Sequence, residues 1–353
     1  DAGADLIVFE TFTDLYDMKA AVLAAKEHTH LPILATMSFE GNGRTFTGTT
    51  VPAMAMTLEG LGVDAVGFNC SLGPAEILSL AEELRQWTDL PLVVKPNAGL
   101  PDPQTNEYTI TAAEFAREMV PFTQLGVRIL GGCCGTSPAF IQELRHAIGT
   151  QPPEVTRPPK RRGVCSASQV AELTGVRVVG ERINPTGKKR FQQALREHDL
   201  DYILNQAMAQ QDAGADILDV NVGLPGIDEV AMMTDVVKAI QSVVSLPLQI
   251  DSTNPEVIEA GLRACCGRAI VNSVNGKAEI LEAILPIVKK YGAAVVGLAM
   301  DENGLPETAQ QRFDLAERIL NAALAHGIPR EDVIIDCLTL TVSAQQEQAQ
   351  ETL

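Results

Sequence analysis

DAGADILDVNVG, residues 212–223, joins a small-residue turn to a short apolar run that ends on the polar pair Asp219 and Asn221. Such a run, bounded by turn residues, reads as a buried strand of a parallel sheet. Polar residues at the carboxyl end of a strand mark the face on which βα folds carry their chemistry. The same phrase, DAGAD, occurs at Asp1–Asp5, where it leads into DLIVFET. A repeat of this kind implies two domains of one architecture.

Similar runs extend in both directions. The first part of the chain has DLIVFET (Asp5–Thr11), LPILATMSF (Leu31–Phe39), DAVGFNC (Asp64–Cys70), LPLVVKPN (Leu90–Asn97) and VRILGGCC (Val127–Cys134). The second has VRVVGE (Val176–Glu181), DILDVN (Asp216–Asn221), LPLQIDS (Leu246–Ser252), AIVNSV (Ala269–Val274), AVVGLAM (Ala294–Met300) and DVIIDCL (Asp332–Leu338). Between them lie stretches such as PAEILSLAEELRQ (Pro74–Gln86), whose apolar residues recur at helical spacing. Strand and helix alternate throughout, so the fold class is α/β. A complete eight-stranded βα barrel needs about 250 residues, so five and six units predict two (β/α)8 TIM-type barrels in tandem, both incomplete in a truncated chain. A doubly wound sheet is the alternative. No G-x-G-x-x-G follows a first strand, however, and Gly41–Gly43 lacks the third glycine.

The rhythm lapses from Gln151 to about Ser168, QPPEVTRPPKRRGVCSAS, where prolines and a basic cluster replace apolar periodicity. The expected organisation is a barrel over 1–150, a Pro-rich linker over 151–175 and a second barrel over 176–353. Lys160, Arg161 and Arg162 read as a solvated charge run within that linker.

Of the 353 residues, 46% are hydrophobic and 20% charged, as expected for a globular protein with real cores. The formal net charge of -18 repels phosphate backbones and anionic membrane surfaces, so neither nucleic acid nor membrane is an expected partner. No apolar run reaches the roughly 20 residues that span a bilayer, and no leader pattern opens the chain. A cytoplasmic location is the expectation. The seven cysteines do not form a secreted disulfide framework and are read as reduced thiols.

Two cysteine pairs are adjacent in sequence, and a Cys-Cys pair is by itself most simply two small buried apolar side chains. Cys265 and Cys266 keep that reading, because in GLRACCGRAI they precede a strand. Cys133 and Cys134 follow one, within GGCCGTSP, where glycines allow a sharp turn at a strand end. Cys70 ends another strand, so three thiols would face one cavity at the carboxyl rim. Three thiolates leave the fourth tetrahedral position of zinc open, the pattern of a catalytic site. In the second half, Glu181, Asn184, Asp219, Asn221, Asp251, Asn272, Asp301 and Asp336 stand at or just after successive strand ends. Buried carboxylates on one rim need either hydrogen-bond donors from a polar ligand or a metal.

GFNC (Gly67–Cys70) and GGCCGTSP (Gly131–Pro138), separated by 62 residues between Cys70 and Cys133, resemble the zinc motifs of the homocysteine S-methyltransferase family. The resemblance implies Cys70, Cys133 and Cys134 as zinc ligands, with homocysteine sulfur as the incoming ligand. It places Glu10, Ser38 and Asn97 around the amino acid part of that substrate. GERINPTG (Gly180–Gly187), DILDVNVG (Asp216–Gly223), QIDST (Gln249–Thr253) and VNSV (Val271–Val274) resemble the pterin-binding barrel of corrinoid-linked methyltransferases. By that likeness Asp251, Asn272 and Asp336 are the catalytic residues that grip the pterin ring. Glu181, Asn184, Asp219 and Asn221 line the same cavity.

The order of the two motif sets resembles the first half of the cobalamin-dependent methionine synthases. The implied reaction is methyl transfer from 5-methyltetrahydrofolate, through cobalamin, to zinc-activated homocysteine, giving methionine and tetrahydrofolate. None of the five histidines stands in an Asp-x-His-x-x-Gly context, so cobalamin is expected on a further domain or a corrinoid protein. Two other readings stay open. One is a corrinoid-dependent methyltransferase with another thiol acceptor; the other is a non-catalytic zinc- and pterin-binding module.

Overall fold

Apolar alternation with helices becomes two parallel sheets in the structure, a computed structural model that describes residues 3–102, 104–105, 107–108, 110–149, 155, 157–339 and 346–352. The described chain divides into two compact units, at Arg162 and Gly163. In the first unit, β1 (Ile7–Phe12), β2 (Ile33–Met37), β3 (Ala65–Asn69), β4 (Leu92–Lys95) and β5 (Val127–Leu130) alternate with α1 (Leu15–His28), α2 (Val51–Gly60), α3 (Pro74–Trp87), α4 (Ala112–Gln124) and α5 (Pro138–Ile148). The second unit opens with a hairpin of β6 (Gly163–Cys165) and β7 (Val170–Glu172). Its main sheet comprises β8 (Val179–Ile183), β9 (Ile217–Asn221), β10 (Leu248–Asp251), β11 (Ile270–Asn275), β12 (Ala294–Leu298) and β13 (Val333–Asp336).

Both sheets are parallel and run in sequence order, β1 to β5 and β8 to β13. Each unit therefore steps the same way round, and the order never reverses. A doubly wound sheet reverses at its switch point; this winding is that of a βα barrel. Among the described residues neither sheet closes on itself. Each of the eleven runs read as strands contains a strand, with its ends shifted; β1, β8 and β11 run past the predicted carboxyl ends.

Strand β3, AVGFN, is buried at all five positions, which explains its unbroken apolar texture. Gly67 within it is obligatory: a Cβ there would lie 1.8 Å from the Val93 carbonyl oxygen of β4. Helix starts follow local chemistry. Asp14 caps α1 by accepting from the Tyr16 and Asp17 N–H groups, and Thr111 with Glu114 forms a reciprocal capping box on α4.

The segment read as a linker carries more structure than its composition announced. Val164 and Ala171 of the hairpin pack with Ile217, Ile270 and Ala294 at the amino ends of the strands, so the hairpin plugs that end of the second sheet. Cys165 exchanges two backbone hydrogen bonds of 2.9 Å with Arg268, whose guanidinium donates to the Gly163 and Gly292 carbonyls and pairs with buried Asp332. The basic run is not simply solvated either. Lys160 lies 2.5 Å from Glu59, and the Arg161 guanidinium sits 4.4 Å over the Trp87 ring. Acids and an aromatic of the first unit, distant in sequence, give these charges partners that composition could not reveal.

Candidate metal centre and polar pocket

Cys70 comes directly after β3, with Cys70 and Ser71 both left-handed at φ 63° and 57°. This conformation is uncommon for residues with a side chain and turns the thiol out of the strand line. The segment after β4 then grips both cysteine loops. The Cys70 N–H donates to the Lys95 carbonyl at 3.1 Å and the Cys133 N–H to the Pro96 carbonyl at 2.7 Å. The Cys134 N–H donates to the Asn97 side-chain oxygen at 3.0 Å, while the Ala98 N–H donates to the Cys134 carbonyl at 2.9 Å. Of the glycines in GGCCGTSP, Gly135 takes the positive φ, 79°, beneath the Tyr108 ring.

These backbone contacts bring the three Sγ atoms within 4.8 Å of one another, with Cys70 and Cys134 3.7 Å apart. Zinc bound at about 2.3 Å to sulfur in a tetrahedron sets its sulfurs about 3.8 Å apart, so the donor set fits that ion. It is the one such group among the described residues. Cys134 is exposed and the other two are partly so, which leaves the site open to an entering ligand. Burial and the adjoining Cys70 thiol push Cys133 up to about 11. Burial, then the Cys134 thiol, raise the Tyr108 hydroxyl above its ordinary range.

Asn69 is buried at the end of β3, and the linear sequence alone gives it no role. Its Oδ1 accepts from the Thr11 N–H at 2.8 Å and the Thr36 hydroxyl at 2.7 Å; its Nδ2 donates to the Thr11 hydroxyl at 2.7 Å and faces Cys133 Sγ at 4.0 Å. One amide thus links β1, β2, β3 and the cysteine loop. A lone amide ending an apolar run was the available signal. Ser38 and Asn97, expected around the substrate, are buried and engaged on the loops themselves: the Ser38 hydroxyl donates to the Asn69 carbonyl at 2.8 Å. Glu10 is half-exposed and pairs with Lys95 at the end of β4.

In the second unit the inward residues form two tiers. Asn221 and Asp251 are register neighbours, with the Asn221 amide donating to Asp251 at 2.8 Å; Asn272 faces Asp251 across the next pairing. One tier deeper, Asp219 lies opposite Gln249, whose amide donates to it at 2.7 Å, and Asn272 reaches down to the same oxygen at 3.3 Å. Gln249 of QIDST is a further residue of this pocket that the motif does not single out; its spacing of two from Asp251 puts both on one face. Burial and the charge of Asp251 push Asp219 up to about 7. Burial also raises Asp251, against the hydrogen bonds from Asn221 and Asp219 that lower it.

Around this pair, Asn184 donates to Glu181 at 3.1 Å, and Asp336 ends β13 with its carboxylate accepting from the Leu338 N–H at 2.7 Å. Asp301 stands apart, paired with Arg318 at 3.2 Å and closing its own loop through the Asn303 N–H, a contact that leads in holding its carboxyl low. Lys188 and Arg190 after the GERIN turn are spent locally, on the Glu181 carbonyl at 2.9 Å and on Asp199 at 2.5 Å.

Residues 1–148 match the homocysteine S-methyltransferase family, and residues 180–353 match the family of pterin binding enzymes. Each of the two units thus carries its own family match. It is 36% identical to methionine synthase of Mycobacterium tuberculosis and 34% to that of Mycobacterium leprae, in each case over 99% of this chain and 31% of the relative. The chain thus spans about a third of the length of the curated relatives it matches. Among solved structures, the apo homocysteine methyltransferase MmuM of Escherichia coli is 27% identical, covers 42% of this chain and 51% of its own, and superposes with a TM-score of 0.35. Among the described residues, no helix is long and apolar enough to cross a membrane.

Proposed function

We propose that the chain is the part of a methionine synthase that binds the two substrates, transferring a methyl group from 5-methyltetrahydrofolate to homocysteine. The observation that carries this reading is the cluster of Cys70, Cys133 and Cys134, three thiols at zinc spacing on an open strand-end rim. The polar pocket in the second unit complements it.

In the first unit Cys70, Cys133 and Cys134 hold the zinc. Bound there, zinc supplies a Lewis acid that keeps an added substrate thiol deprotonated at neutral pH, where a free thiol of pKa about 8.5 is mostly protonated. Glu10, on the same rim, meets the substrate's ammonium group, and Ser38 and Asn97 keep the cysteine loops in register around it. In the second unit the Asp251 carboxylate accepts from the pterin amino group and ring N–H, with Asn272 and Asp336 completing the grip. Glu181, Asn184 and Asn221 enclose the same ligand. As the methyl–N5 bond breaks, the N5 amine of tetrahydrofolate is a poor leaving group unless it gains a proton or hydrogen bond, and a polar pocket serves that need. A cobalamin held outside this chain supplies the methyl carrier.

Purified chain is tested for zinc by elemental analysis and for methionine formation from homocysteine and free methylcobalamin, with Cys133→Ala as control. The expected result is one zinc per chain and methionine from the wild type alone. Full zinc content without methionine would assign the thiol site to another acceptor, and equal zinc in the variant would remove the metal assignment.

A further inference from the structure

Asp219 lies beneath the pterin tier, 1% exposed, with one oxygen holding two amides and the other, Oδ2, without a donor from any described residue. No cation faces it. The titratable groups turned toward it are Asp251 on β10 and Glu181 on β8; β11 presents Asn272, and the remaining β10 neighbour is Gln249. A carboxylate in that setting would keep a buried oxygen unpaired next to a second carboxylate, which costs more than retaining a proton.

We propose that Asp219 works as a neutral carboxylic acid, a positioning residue that fixes Asn272 from below and donates its proton toward Asp251, so that of these two carboxyls Asp251 carries the negative charge offered to the pterin. This inference rests on the pterin reading of the pocket. Each polar atom then has a use. Oδ1 accepts from Gln249 and Asn272, which fixes the direction of the Asn272 amide. A hydroxyl at Oδ2 would have the neighbouring Asp251 carboxylate as its acceptor, beside the Asn221 amide that already donates to Asp251 at 2.8 Å. Two carboxyl groups sharing a site divide into one acid and one base in this way. The upward displacement of Asp219 to about 7, caused first by burial and then by Asp251, agrees with the arrangement.

A neutral acid has a close mimic in asparagine, whose amide can donate to Asp251 while its carbonyl accepts from Gln249 and Asn272. The test compares the full chain with Asp219→Asn and Asp219→Ala. Two readouts are taken: the side-chain carboxyl signals by carbon-13 NMR with labelled aspartate, assigned by their loss in Asp219→Asn, and the affinity for 5-methyltetrahydrofolate by fluorescence between pH 5.5 and 8.5. The expectation is an Asp219 signal that titrates near neutrality. The wild-type affinity should fall roughly tenfold across the range, a change equal to about 1.4 kcal/mol. In Asp219→Asn the pH dependence should flatten, and Asp219→Ala should bind more weakly than Asp219→Asn throughout. An Asp219 signal already ionised at pH 5.5, or a pH dependence unchanged in Asp219→Asn, overturns the proposal. Wild type that binds no 5-methyltetrahydrofolate at any pH refutes the pterin assignment instead, and the NMR titration then decides the protonation of Asp219 by itself.

Discussion

Replacing Asn69 by alanine strikes both the fold of the first unit and its thiol site. The side chain is 1% exposed and makes three hydrogen bonds of 2.7–2.8 Å, to the Thr11 N–H, the Thr11 hydroxyl and the Thr36 hydroxyl. At a net of roughly 1 kcal/mol each, with some further cost because Thr36 is buried and keeps only a long contact to the Phe9 carbonyl, Asn69→Ala should lose about 3 kcal/mol. That is a large share of the roughly 5–15 kcal/mol typical of a folded domain. The chain's single tryptophan, Trp87, is buried in the same unit, so its fluorescence in a urea titration of the metal-free protein reports the transition of interest. A loss under about 1 kcal/mol would show that the network is ornamental and refute the reasoning. The second arm is metal affinity. With Cys133 no longer faced by an amide N–H, cobalt(II) bound by the three thiols should still give sulfur charge-transfer absorption, with affinity reduced by about tenfold.

Gly67→Ala should prevent normal packing of β3 on β4, because its Cβ would stand 1.8 Å from the Val93 carbonyl oxygen; a tryptophan-monitored midpoint equal to wild type would contradict this. Asp332→Ala removes the partner of buried Arg268, whose two carbonyl acceptors remain, and should destabilise the second unit by roughly 3 kcal/mol, read from far-UV circular dichroism during urea unfolding. Asp219 also predicts a pH trend in stability. Its folded value, about 7, lies above the unfolded value near 3.8, so between those pH values the native state holds a proton that the unfolded chain has released. Stability from this group is therefore highest below pH 4 and declines as pH rises toward 7. Asp219→Asn should gain on wild type over that interval, and a gap that stays constant or moves the other way would count against a proton on Asp219.

The strands and the cysteine motif were legible in the linear chain because each rests on neighbouring residues. Apolar runs such as AVGFN report burial on both faces, and a cysteine directly after such a run is carried to the rim by the strand alone. The polar residues of β9 and β10 were visible for the same reason, two apart and on one face. Partnership is another matter, because it joins residues far apart in sequence. Asn69 meets Thr11 across 58 positions and Cys133 across 64, and Arg268 meets Gly163 across 105. Local periodicity carries no record of such pairs. For that reason the hairpin over Gly163–Glu172 read as linker, the basic run read as solvated, and the hydrogen bonds by which Ser38 and Asn97 hold the thiol-bearing loops went unread. Which of two neighbouring carboxyls keeps a proton is likewise settled by depth and facing charge, and both arise only when β9, β10 and β11 lie side by side.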